Sequence, residues 1–263
     1  MLLKDKVVIV SGIGPGMGIK LAVLAAQEGA AGVVLVARTP AKLDDAEAAI
    51  RALDLQTPLL KMPTDIAVRA QCDAVARETI ARFGRIDALI NSAYVHGEFA
   101  TAEHAKLEDW HGPLDVNLFG SMNMTQAVVP QMKAQGGGSI VMINTMATRR
   151  PNAVEIGYAV SKGALSTAAA YLAEDLGKYG IRVNSAYMGW MWGASVQGYF
   201  EAQSKERGVT VESLKAEVAK DIALRRIPED GECAKAAIFL ASDYASAITG
   251  AQLDVNGGHF LPS

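Results

Sequence analysis

Val7-Val8-Ile9-Val10-Ser11-Gly12-Ile13-Gly14-Pro15-Gly16-Met17-Gly18-Ile19 decides the reading of this chain. Four consecutive β-branched residues without polar alternation read as a strand buried on both faces. The glycines end it, and Ile19 to Gln27, rich in alanine and leucine and closing at Gly29, reads as a helix. Glycine tolerates positive φ and lets backbone N–H groups approach an anion. The following helix turns its positive dipole end toward the same point. A dinucleotide pyrophosphate fits that geometry. The spacing is not G-x-G-x-x-G, because the third glycine would fall at Met17 or Ile19. It is G-x-x-x-G-x-G, through Gly12, Gly16 and Gly18.

The unit then repeats. Val33 to Ala37 reads as a strand, Pro40 to Leu53 as a helix, Leu59 to Met62 as a strand, Ala67 to Phe83 as a helix and Ala88 to Ile90 as a strand. Further on come a helix around Leu118 to Lys133, the Gly136-Gly137-Gly138 turn, a strand from Ser139 to Ile143 and a helix from Tyr158 to Tyr179. A strand near Arg182 to Ala186, a helix from Gly231 to Ala241 and a strand from Gln252 to Val255 complete the series. Apolar strands spaced by helices predict an α/β fold with a parallel sheet covered on both faces. No linker interrupts the pattern, so residues 1–263 read as one domain. The exception is an excursion over about 190–227 that mixes Trp190, Trp192, Tyr199 and Phe200 with charged helical stretches. Its place after a strand end suits a substrate-binding segment.

Composition narrows the function. The formal charge is −3 and no Lys/Arg cluster occurs, which gives no attraction to nucleic acid or anionic lipid. The apolar run near the start is too short for a signal-peptide core or a membrane span, so a cytoplasmic protein is expected. Cys72 and Cys233 match no metal or redox spacing and read as reduced thiols. His96, His104, His111 and His259 lack paired-ligand spacing and read as structural or surface residues, so no metal is expected.

The chemistry lies in Tyr158-Ala159-Val160-Ser161-Lys162. Residues four apart share a helix face, so the Tyr158 phenol and the Lys162 ammonium can enter one site. A phenol titrates near 10, and a neighbouring cation favours its phenolate. Thirteen positions upstream, Asn144-Thr145-Met146 ends a strand with a hydroxyl residue, and Asp115-Val116-Asn117-Leu118-Phe119-Gly120 precedes it.

Together these motifs resemble the short-chain dehydrogenase/reductase family. The likeness runs from Lys6 to Asp254-Val255-Asn256-Gly257-Gly258, similar to the family's Val-Asp-Gly-Gly ending. It implies a Rossmann-like, doubly wound sheet and an enzyme moving a hydride between a nicotinamide cofactor and a carbonyl or secondary alcohol. Tyr158 would be the proton donor, Thr145 the hydroxyl orienting the substrate oxygen, Lys162 the tuning cation, and Asn117 a member of a proton relay. The implied cofactor contacts are Ser11, Gly12, Gly16, Met17, Gly18, Asp65, Ile66, Asn91, Ala93, Tyr158, Lys162, Gly189 and Met191. The resemblance also implies a homo-oligomer, a tetramer or dimer.

The second strand ends in Ala37-Arg38, with no acid to accept from a ribose 2′-hydroxyl and a guanidinium available to a 2′-phosphate. NADP(H) is therefore preferred, with NAD(H) as the alternative. Tyr94 stands where relatives carry glycine. Met188-Gly189 replaces a usual Pro-Gly pair, which frees φ at Met188 and predicts a more mobile or re-routed loop. Tyr94, Met146, Trp190, Trp192, Tyr199 and Phe200 suggest an apolar, partly aromatic pocket without a charged anchor, suited to a hydrophobic or aryl ketone. The alternatives are a non-catalytic NADP-binding sensor or scaffold, and an epimerase or dehydratase with bound cofactor.

Overall fold

The computed structural model describes residues 1–262. Its strands are β1 (Val7–Ser11), β2 (Gly32–Ala37), β3 (Leu59–Pro63), β4 (Ala88–Asn91), β5 (Gly138–Thr145), β6 (Ile181–Met188) and β7 (Gln252–Val255). All pair in parallel in one sheet of order β3-β2-β1-β4-β5-β6-β7. The direction of winding reverses between β1 and β4, which opens a crevice at the strands' carboxyl ends.

Helices cover both faces: α1 (Met17–Gln27), α2 (Pro40–Arg51), α3 (Arg69–Phe83), α4 (Ser121–Ala134), α5 (Ile156–Leu176), α6 (Ala194–Arg207), α7 (Val211–Ala219) and α8 (Asp230–Ala241). Alternate residues of a strand point to opposite faces, so each apolar run feeds two cores. Val8 and Val10 of β1 join Leu21, Leu43 and Ile238, whereas Ile9 joins Val75, Met124 and Leu165. This accounts for the missing polar alternation in the sequence.

The helix expected from Leu118 is longer and irregular. A turn at His111–Pro113 runs into a π-helical stretch, Leu114–Gly120, before α4 begins. The extra residue per turn in a π-helix, which often marks a functional site, displaces Asn117 from an ordinary helical face. The 190–227 excursion folds into α6 and α7 around its own small core of Phe200, Leu214, Ile222 and Ile227. Met188 is not loosened by the missing proline: it is 3% exposed and pairs with Val255 and Thr145 in the sheet.

Candidate active site

A cavity of about 890 Å³ occupies the crevice, reaching from the glycine loop past the ends of β2, β4, β5 and β6 to the excursion. At one end the loop between β1 and α1 is held open by two glycines. Gly12 has φ +105°, and a Cβ there would stand 2.2 Å from Ala93 N; a Cβ on Gly18 would stand 2.2 Å from Gly12 O. Gly14 and Gly16 are different: Gly14 would meet nothing within 4 Å, and Gly16 only Asp230 Oδ2 at 4.0 Å. Their missing side chains leave space in the cavity. The first turn of α1 carries no side-chain cap and no acid. Uncapped N–H groups beside open space suit an anionic diphosphate, so these residues fit the dinucleotide that the loop implies.

Gly12, Gly16, Met17, Gly18, Arg38, Asp65, Ile66, Ala93, Gly189 and Met191 all line this cavity, with Thr39 and Lys42 beside Arg38. Ser11 and Asn91 stand behind the wall. Ser11 is fully buried, and Asn91 Nδ2 donates to Thr125 Oγ1 at 3.3 Å. Ile66 touches the π-helical segment so closely that a Cβ on Gly120 would lie 2.6 Å from its Cγ1.

At the centre, Tyr158, Thr145 and Lys162 line the same cavity. Thr145 ends β5, and its hydroxyl oxygen accepts from Ala147 N at 3.2 Å, which leaves its O–H free to donate. Burial pushes the Tyr158 phenol well above its ordinary 10.0; the neighbouring Tyr94 adds to this, and the Thr145 hydroxyl opposes it. Lys162 is 2% exposed and donates to Ile143 O at 2.7 Å, and burial lowers its pKa to about 7. Asn117 lies just behind. Its Oδ1 accepts from Val95 N at 2.8 Å, and its Nδ2 donates to Val95 O at 2.9 Å and to Ser161 Oγ at 2.8 Å. Ser161 Oγ in turn donates to Tyr158 O at 2.7 Å. Asn117 thus ties the segment after β4 to the helix carrying Tyr158 and Lys162.

The outer wall is mixed in character. Tyr94, Met146 and Trp190 line it as expected, and Tyr94 Oη lies 3.3 Å from Ser195 Oγ. Trp192, Tyr199 and Phe200 do not line it: Phe200 is buried, with the Trp190 and Trp192 rings edge-on at 5.6 Å, and Lys215 sits 3.8 Å over Trp192. These rings pack the excursion onto itself. The wall also contains charged groups that the sequence reading did not anticipate, Glu155 and Arg150. His96, read as structural, stacks on Tyr158 at 4.6 Å and on Phe99 at 4.1 Å, with Nε2 3.7 Å from Glu155 Oε1. Its place two residues beyond Tyr94, in the segment leaving β4, was the available signal.

A family model described as enoyl-(acyl carrier protein) reductase matches residues 12–259. The 3-oxoacyl-[acyl-carrier-protein] reductase of Thermotoga maritima is 32% identical over 266 residues, covering 98% of this chain and 99% of that one. Among solved structures, L-sorbose reductase from Gluconobacter frateurii, complexed with NADPH and L-sorbose, superposes with a TM-score of 0.93. It is 28% identical and covers 100% of this chain and 99% of its own. An NAD+-bound xylitol dehydrogenase gives a TM-score of 0.89 at 27% identity, covering 98% of this chain and 100% of its own. With the glycine cradle and the Tyr158, Lys162 and Thr145 cluster on one cavity, the chain belongs to the short-chain dehydrogenase/reductase family of nicotinamide-dependent oxidoreductases.

Proposed function

We propose that the protein is an NADP(H)-dependent oxidoreductase that interconverts a ketone and its secondary alcohol. The observation that carries this reading is one continuous cavity bearing the glycine cradle, Thr145, Tyr158 and Lys162. A bound reduced nicotinamide supplies the hydride. Thr145 donates from its free O–H to the substrate oxygen, and Tyr158 delivers a proton to that oxygen from its phenol. Lys162 holds the cofactor ribose and, when charged, favours the phenolate. Asn117 keeps the Tyr158 helix in register with the segment after β4.

NADP(H) is favoured by chemistry at the end of β2. Arg38 precedes α2, Lys42 lies in its first turn, both line the cavity, and Thr39 opens α2 without a side-chain cap bond. With Ala37 in place of an acid, this group suits a 2′-phosphate. The substrate's unreactive part is assigned to the face of Tyr94, Met146 and Trp190, which favours a hydrophobic or aryl group. A second reading, a hydroxylated ketone, is favoured by His96, Glu155 and Arg150 on the same wall. Assembly into a dimer or tetramer through the helical segments carrying Asn117 and Tyr158 is supported by the exposed Phe119 of the π-helical stretch and Val160 and Tyr171 of α5.

Nicotinamide absorbance with purified protein, NADPH or NADH, and a panel of aryl, aliphatic and hydroxylated ketones tests the proposal. Turnover with NADPH in preference to NADH is the expected result. Tight cofactor binding without turnover across the panel, in both directions, would move the protein to the sensor reading.

A further inference from the structure

The cavity of about 890 Å³ must hold the dinucleotide and the substrate together, so little room is left for the ketone. Two contacts cross the space in front of Tyr158. Tyr94, half-exposed on the segment leaving β4, donates from Oη to Ser195 Oγ at the start of α6, at 3.3 Å. Four residues farther along α6, on the same face, Tyr199 stacks on Phe99 with ring centroids 6.5 Å apart and planes 23° from parallel. Both contacts join the same two segments, and both stand beside the catalytic phenol. The Tyr94 centroid lies 6.3 Å from that of Tyr158, and Phe99 reaches Tyr158 through the His96 stack.

Each side of this frame is fixed to the body of the protein. Val95, next to Tyr94, is held at both its N–H and its carbonyl by the Asn117 side chain. Gly97 has φ +78°, and a Cβ there would stand 2.8 Å from Pro113 Cγ. Ala100 N donates to Val154 O at 3.0 Å. On the other side, Phe200 roots α6 in the excursion's own core, and Tyr199 rests on Trp190 with centroids 5.9 Å apart. A wall packed in this way yields to a larger ligand only at the cost of its own contacts. The bond to Ser195 is at the surface and weak by itself. Its effect is to hold the Tyr94 ring across the gap, and the bulk of that ring sets the limit.

We propose that Tyr94 is a specificity-determining residue that confines the enzyme to compact ketones, its ring excluding those that carry a long chain or a fused polycyclic body. This rests on the reading of the cavity as a ketone-reducing site.

The test is kcat/KM of the full-length protein with NADPH for acetophenone, a steroid ketone and a long-chain 3-oxoacyl thioester, beside a fluorescence titration of NADPH. Wild type is expected to favour acetophenone over both larger ketones by at least about tenfold. Tyr94→Ala is expected to raise the ratio of large to compact substrate by about tenfold or more, with NADPH affinity close to wild type. Tyr94→Phe, which keeps the ring, should keep the wild-type ratio. Tyr94→Ser repeats the comparison should the alanine variant fold poorly. A wild type that reduces the steroid as readily as acetophenone would overturn the proposal. An equal fall for all three ketones in Tyr94→Ala would also overturn it, since Tyr94 would then only support α6. So would an unchanged ratio with weakened NADPH binding, which would put the ring over the cofactor. Absence of turnover with every ketone, and with the alcohols in reverse, would remove the ketone reading and this proposal with it.

Discussion

Lys162 Nζ donates to the carbonyl oxygen of Ile143 at 2.7 Å, so the amine is fastened to β5 and not to the phenol of Tyr158. Burial there holds its pKa at about 7, against 10.5 for free lysine. The folded protein therefore favours the neutral amine while the unfolded chain favours the ammonium. Folding bears the full charging cost below pH 7, and that cost disappears as pH rises toward 10.5. Lys162→Met should stabilise the cofactor-free protein near neutrality, by on the order of a few kcal/mol, with a gain that shrinks toward pH 10.5. Urea denaturation at several pH values measures this, and a gain independent of pH would refute it.

Tyr158→Phe keeps the ring packing and removes the proton. Turnover should fall by about 10²- to 10⁴-fold while NADPH affinity stays close to wild type. Thr145→Ser should retain most activity because the donor survives, and Thr145→Val should not. Steady-state rates beside cofactor titrations separate these effects. Near-normal turnover in Tyr158→Phe would end its assignment as proton donor.

The glycines of the cradle should respond differently to the same change. Gly12→Ala forces a Cβ to 2.2 Å from Ala93 N at φ +105°, whereas Gly14→Ala meets nothing within 4 Å. The first should lose several kcal/mol of stability or fail to fold, by a backbone clash and a strained φ together (about 1–3 kcal/mol for the strain alone). The second should melt like wild type and bind the dinucleotide more weakly. Thermal melts with and without NADPH distinguish them.

Arg38→Ala and Lys42→Ala should each weaken NADPH binding by about one to two orders of magnitude and leave NADH nearly unchanged. The ratio of the two dissociation constants is the readout. Parallel losses for both cofactors would place the 2′-phosphate elsewhere.

His96 lies between two aromatic faces, Tyr158 at 4.6 Å and Phe99 at 4.1 Å. His96→Ala should cost about 1–2 kcal/mol of stability from the lost stacking, and His96→Phe should restore it. If the hydroxylated-ketone reading holds, His96→Phe raises KM for a 2-hydroxyketone but not for its deoxy analogue. Equal KM changes for both would favour the aryl-ketone reading.

Most of the framework could be read from the sequence because each element leaves a local signal. Two-sided burial gives uninterrupted apolar strands such as Val7 to Val10, and the Tyr158 and Lys162 spacing fixes a shared helix face. What could not be read is set by long-range placement. The π-helical turn around Asn117 has no periodicity that separates it from an ordinary helix. Phe200 and Trp192 look like pocket residues in the sequence because aromatic composition cannot distinguish a pocket wall from the small core of an excursion. Lys42 stands four residues beyond Arg38 and was available as a second cation near the end of β2.

The contact between Ile66 and the bare backbone of Gly120 bears on recombination between relatives. The two residues are joined only by packing, 54 positions apart in the chain, and neither can grow without displacing the other. A chimaera with its crossover between them would combine a nucleotide wall and a relay segment that had not been fitted together. Exchanges that carry both positions from one parent should fold, and those that split them should do so only when the incoming pair has the same combined bulk.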